Sequence, residues 1–313
     1  MKPIAFMILL TGIVLLACLS KTAPACGRMI SDGQGWGGFK GPFGITVTQS
    51  QKLLIADDLG HQLFVFSETG ELIKKLESHG TEALQYAFPD YFIQGPDGLY
   101  YVADTGNNRI QVLDQEFELK HIIRNWGWFR RGFANPRYIA FDNDETMFVS
   151  DWGNHCIRVF RKWRLQFSFG RKGDRPGEFH NPIAVAVGRD GQVYVSDFKN
   201  HRIQVFDRHG SHIFCFGKKG SENGQFINPS GLAFDDKGLL FITDRGNHRI
   251  QVFTPDGMFL YWFGGFGSSP EHLNKPTDLA FGSGNKLFVA DSGNLRIQVF
   301  TPELHKKAAE SLE

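Results

Sequence analysis

The chain is short of cysteine and of any surplus of charge. Its four cysteines, Cys18, Cys26, Cys156 and Cys215, stand at no zinc-ligand spacing, which excludes a metal finger. Lys and Arg number 34 against 33 Asp and Glu, so a role at nucleic acid or at a membrane surface would need charge gathered in one place. No Gly-x-Ser-x-Gly elbow, phosphate loop or His-Glu-x-x-His motif occurs. The one long apolar run, Ile4 to Leu19, has 16 residues, fewer than the roughly 20 that span a bilayer. What is plentiful is glycine, 36 residues, and phenylalanine, 30 residues, in a chain 42% hydrophobic and 21% charged. That is a globular composition with many turns and much aromatic core, and it excludes disorder, collagen and coiled coil.

The apolar run follows Lys2 and reads as a secretory signal over residues 1–25. Two processing sites compete. Leu15-Leu16-Ala17-Cys18 resembles a bacterial lipobox, which would make Cys18 a lipidation site, and Ala23-Pro24-Ala25 fits cleavage before Cys26. The expected location is outside the cytoplasm, as a cell-envelope lipoprotein or a periplasmic or secreted protein, with the membrane touched only through the N-terminal lipid.

Residues 26–302 are organised by a repeat, and 303–313 form a polar tail. Asp57, Asp104, Asp151, Asp197, Asp244 and Asp291 each head an Asp-x-Gly-Asn-like segment, spaced 47, 47, 46, 47 and 47 residues apart. Pro42, Pro89, Pro136, Pro182, Pro229 and Pro276 keep the same intervals. Such a period marks a repeat architecture. Within one copy, four short apolar runs (Gly231 to Phe234, Leu239 to Thr243, Arg249 to Phe253, Met258 to Phe263) are separated by turns such as Asp235-Asp-Lys-Gly238 and Thr254-Pro-Asp-Gly257. Asp244-Arg-Gly-Asn carries a glycine and an asparagine that tolerate positive φ. Four antiparallel strands per copy and six copies predict an all-β, six-bladed propeller. The sixth copy lacks its fourth run, while Arg28 to Ser31 falls where the outer strands fall, so an N-terminal strand should complete the last blade and leave no open edge. Phe160, Phe206, Phe253 and Phe300 are expected to fill the gaps between blades. Cys156 and Cys215 occupy different strand positions in adjacent copies, so no disulfide is expected between them, and Cys26 has no evident partner.

The segments Asp-x-Gly-Asn-His-Arg-Ile-Gln-Val-Phe, clearest at Asp244 to Phe253, resemble NHL repeats over about residues 28–302. One NHL-like enzyme family, the peptide-amidating lyases, holds zinc with three histidines from different blades. That resemblance implies a ligand at His61, but the positions of the other two, directly after the blade prolines, hold Phe43, Asp90, Arg137, Ile183, Ser230 and Thr277. NHL propellers joined to RING and B-box modules bind RNA, yet this chain carries no such module.

The repeated charges read as structure. Asp104 with Arg109, Asp197 with Arg202, Asp244 with Arg249 and Asp291 with Arg296 are placed to clasp the loop between strands, with Gln62 and Cys156 replacing arginine in the other copies. His61, His155, His201 and His248 recur at equivalent ring positions, too far apart to share a metal whose ligands must lie about 2 Å from it. No metal or cofactor is therefore expected. Function is sought where the copies differ. Three consecutive inter-blade loops are basic and carry Arg124, Arg130 and Arg131, then Arg171, Lys172 and Arg175, then Lys218 and Lys219, with Trp126 and Trp128 beside the first. These residues predict a monomeric, non-enzymatic propeller that binds a protein or an anionic polymer such as an acidic glycan on one loop face. The alternatives are a metal-assisted lyase or hydrolase at the channel mouth, and RNA binding.

Overall fold

The computed structural model describes residues 27–29, 38–124 and 132–300. Cys18, Trp126, Trp128, Arg130, Arg131 and the C-terminal tail lie outside them. Six four-stranded antiparallel sheets follow in chain order. Blade 5 runs Pro229–Phe234, Leu240–Asp244, Arg249–Phe253 and Phe259–Gly264 from the axis outward. Each inner strand packs on the inner strand of the next blade, and that of blade 6 (Asp278–Phe281) packs on that of blade 1 (Pro42–Val47), closing the ring. In five blades the proline is the first residue of the inner strand, where its missing N–H costs no ladder bond. Turn chemistry sets the hairpins. After Phe206, the Asp207 carboxylate accepts the His209 and Ser211 N–H groups at 2.9 and 2.8 Å, and Gly210 takes φ +84°.

The ring is closed as the pattern predicts: Gly27–Met29 lies antiparallel to Arg296–Phe300, with Gly27 opposite Phe300 and Met29 opposite Gln298. Phe160, Phe206, Phe253 and Phe300 are buried. Three of them meet the phenylalanine that precedes their own blade's proline: Phe133 and Phe160 at 5.7 Å, Phe179 and Phe206 at 5.4 Å, Phe226 and Phe253 at 5.5 Å between ring centres. These pairs fix the incoming loop to its blade with aromatic geometry. Cys156 and Cys215 are free thiols, and burial pushes the Cys156 thiol up to about 12.

The single 46-residue interval has a structural address. In blade 4, Phe206 pairs with His212 across the outer hairpin, but in blade 3 Arg161 pairs with Arg164, which leaves a two-residue turn of Lys162 and Trp163. Both take positive φ, +45° and +64°, a geometry usually given to Asn-Gly. Trp163 is held there by stacking on His121 at 4.6 Å and by donating its Nε1–H to the Tyr101 hydroxyl at 3.1 Å.

Candidate functional site

The second-to-third-strand loops and the loops that enter each blade meet on one face. The aspartate that ends each second strand is the tie. Asp104, Asp197, Asp244 and Asp291 accept the Nε–H of Arg109, Arg202, Arg249 and Arg296 at 2.6, 2.9, 2.9 and 2.7 Å. Their other carboxylate oxygen accepts a backbone N–H of the incoming loop, from Ala87, His180, Ile227 and Asn274. The arginines also donate to carbonyls of that loop; Arg109 reaches Thr81, Glu82 and Gln85. Blade 3 has Cys156 in the arginine place, and Arg158, two residues on and where four other blades have glutamine, binds Asp151 instead. Blade 1 has Gln62 there, and Asp57 is held by the backbone N–H groups of Lys40 and Gly41 at 2.9 and 2.6 Å.

The loop glycines tolerate positive φ but do not use it. Positive φ falls on the last residue of each loop, +54° to +58° at His61, Asn108, His155, His201, His248 and Leu295. The glycine is needed for close approach: Gly106 N–H donates to Ala87 O at 2.8 Å, and a Cβ there would lie 2.7 Å from that oxygen. The left-handed residue then directs its side chain to the neighbouring blade. His61, His155, His201 and His248 accept through Nδ1 the N–H of Phe88, Asn181, Asn228 and Lys275 at 2.9, 3.1, 3.0 and 3.1 Å, and Asn108 Oδ1 accepts that of Asn135 at 2.7 Å. Burial lowers the pKa of all four histidines. Among the described residues no group of three or more His, Cys, Asp or Glu side chains could hold a metal ion.

The face itself is divided. Arg124, Lys172, Arg175, Lys218 and Lys219 are exposed, as is Lys199 between them, and they make no ion pair among the described residues. Arg171 is neutralised by Glu178, to which its Nε and Nη2 donate at 3.0 and 2.8 Å. Asp174 and Glu222 are the exposed acids in the same arc. Across the axis, around blades 5 to 2, the same face exposes Leu59, Phe88, Phe266 and Leu295, with Phe266 at 72% of its surface. Sequence reasoning missed this apolar arc, although Phe266 amid glycines and Leu295 in the histidine place were its signal.

At the axis the same face has a charged mouth that sequence reasoning also missed. The residues after the blade prolines and after the loop aspartates bring Asp90, Arg137, Asp58 and Arg245 together. Asp90 is buried and forms an ion pair with Arg137 at 3.0 Å. The Arg137 guanidinium lies over Phe43 at 5.3 Å and over Trp152 at 5.0 Å. Phe43 packs with Ile183, Phe198 and Trp152 in a small apolar cluster. Burial, with the charge of Asp90 second, pushes Asp58 up to about 7. Asp90 is pushed up to about 6 by burial, opposed by Arg137. The pKa of Arg245 is lowered by burial and then by Arg137. Deeper in, Asp278 accepts the Tyr138 hydroxyl at 2.7 Å and the Ile45 N–H at 2.8 Å, and burial pushes it up to about 7.

Six closed four-stranded blades, clasped by repeated Asp-Arg pairs and braced by left-handed histidines, define a repeat-built β-propeller. The NHL repeat family model matches residues 179–206, 226–253 and 273–300. A human protein, NHL repeat-containing protein 3, is 31% identical over 134 residues, a stretch that covers 39% of this chain and 39% of that protein. The chain carries NHL repeats within residues 179–300 and is built as a six-bladed propeller. Similar solved structures include a gluconolactonase from Xanthomonas campestris (TM-score 0.67, 15% identity, 88% of this chain and 89% of that one). An auxiliary nutrient binding protein from Bacteroides thetaiotaomicron is also similar (TM-score 0.65, 13% identity, 84% of this chain and 69% of that one). At such identities the likeness is one of fold, which hosts enzymes and binding proteins alike.

Proposed function

We propose that this propeller is a non-enzymatic binding module whose clasp face receives a protein with an acidic segment beside an apolar one. The division of that face carries the reading. Exposed cations of blades 3 to 5 stand opposite exposed Leu59, Phe88, Phe266 and Leu295, and an apolar patch with a charged rim suits a protein partner better than a uniform polymer. The repeated Asp, Arg and His side chains are consumed in holding loops, which leaves the divided surface as what the loops present. An acidic glycan would use the basic arc alone.

The test is ligand capture from envelope extracts by two variants. Changing Lys172, Arg175, Lys218 and Lys219 to glutamate is expected to abolish capture, and Phe266→Ser to weaken it about tenfold. Retention of full capture by the first variant overturns the face; loss in the first with full retention in the second replaces the protein by an anionic polymer. Stoichiometric zinc or calcium in the purified protein would favour the metal-assisted alternative. In the same reading the chain is exported and anchored through Cys18, so Cys18→Ser should release it from the membrane fraction, and full-length unprocessed chain in the cytosol would contradict export.

A further inference from the structure

We infer that the axial mouth of the clasp face binds a small carboxylic acid bearing a hydrogen-bond donor next to its carboxylate, a 2-amino or 2-hydroxy acid with an apolar side chain. Three buried side-chain polar atoms among the described residues have neither a hydrogen-bond nor an ion-pair partner: Arg137 Nε, Ser230 Oγ and His212 Nε2; Asp90 Oδ2 has no hydrogen bond of good geometry but lies 3.0 Å from Arg137 Nη1. Two of the three belong to the residue that follows a blade proline, the ring of positions around the axis. Buried polar groups are ordinarily partnered, so two orphans on one ring, beside an unpaired Arg245, mark a place where partners come from outside the chain.

The surrounding groups define those partners. The Arg245 guanidinium makes no hydrogen bond or ion pair among the described residues, although it is largely withdrawn from solvent and feels the charges of Arg137, Asp58 and Asp90. Asp58 accepts only the N–H of the adjacent Leu59, at 2.6 Å. Arg245, Arg137 Nε and Ser230 Oγ are thus donors in want of an acceptor, which a carboxylate supplies. Asp58 is an acceptor in want of a donor, which a neighbouring ammonium or hydroxyl supplies; Asp90 Oδ2 already faces Arg137 Nη1 at 3.0 Å. Phe43, Ile183, Phe198 and Trp152 offer the apolar wall for a side chain. A simple anion would leave Asp58 unanswered, and an amine would leave the arginines so. The site is separate from the two arcs and stands whether or not they hold a protein.

Isothermal titration of the whole propeller with L-leucine, L-phenylalanine and their 2-hydroxy counterparts tests this, with 4-methylpentanoate and 3-methylbutylamine as ligands that lack one of the two groups. Saturable binding by at least one of the four is expected, at least about tenfold tighter than either control. Preference for the amino or the hydroxy series identifies the natural class. Arg245→Met, which removes an unpaired charge and should keep its melting temperature, is expected to weaken binding about tenfold or more, as is Asp58→Asn for the amino acids. No saturable heat from any of the four up to ~10 mM, unchanged affinity in Arg245→Met, or controls that bind equally well would each overturn the proposal.

Discussion

The histidine of each repeat acts through one atom. Because Nδ1 accepts a backbone N–H from the next blade, the ring proton sits on Nε2, and a second proton at Nδ1 would cancel the bond. Burial holds the folded-state values of His61, His155, His201 and His248 below the ordinary imidazole range, and an unfolded imidazole titrates near about 6.5. A base whose folded value is depressed gives stability that is complete above the unfolded value and is lost as pH falls through it. Urea unfolding near pH 7.5 and near pH 5.5 should therefore show a loss in the native protein that is absent when all four are replaced by asparagine, the residue that fills the same role at Asn108. The difference is expected to be about 0.5–1.5 kcal/mol per histidine, and identical pH profiles would refute it. Asp58, Asp90 and Asp278, raised to about 7, 6 and 7, stabilise the fold in the opposite direction as pH falls, and the comparison cancels them. The repeated residues were legible because a period exposes them. Arg158 replacing the missing arginine was legible in principle too, since alternate residues on a strand share a face. The axial charges were harder: Asp90 and Arg137 occupy a ring position where the other blades have Phe, Ile, Ser and Thr, and that ring reads as empty when histidine is the residue sought.

At the scale of the element, strand order, turns and closure followed from hydrophobic runs and turn residues, because each blade is built of short-range hairpins. The deletion in blade 3 was visible as a 46-residue interval, but its effect required pairing register, which spacing does not specify. The outcome is a tight turn whose central residues, Lys162 and Trp163, both adopt the left-handed region, at a cost of about 1–2 kcal/mol per ordinary residue. Lys162→Asn keeps the turn and tolerates that conformation. It is expected to stabilise the protein by about 0.5–1 kcal/mol in calorimetric or urea unfolding, with Trp163 unmoved in its emission; a loss of stability would show that the lysine contributes more than its backbone costs.

For the molecule as a whole, the ring is held by one seam at which chain ends meet. Removing residues 1–37 deletes the strand that pairs with Arg296–Phe300 and leaves blade 6 with an open edge. The truncated propeller is expected to lose roughly 2–4 kcal/mol of stability, from a few net ladder bonds, and to self-associate through that edge. Denaturant unfolding and light scattering check both, and an equally stable, monodisperse product would mean that the inner strands alone close the ring. The basic half of the divided surface was readable from three consecutive loops, whereas the apolar half was not, because it depends on how far each side chain emerges from its loop.

The seam also sets an order in time. Every other sheet pairs neighbours in sequence, whereas Gly27–Met29 waits for residues 298–300, the strand pairing most distant in sequence among the described residues. Such contacts form last because loop closure must precede any reward. A nascent or refolding chain therefore passes through an open ring with blade 6 unfinished, a species whose lifetime, rather than the finished propeller's stability, governs how much of the protein is lost to aggregation.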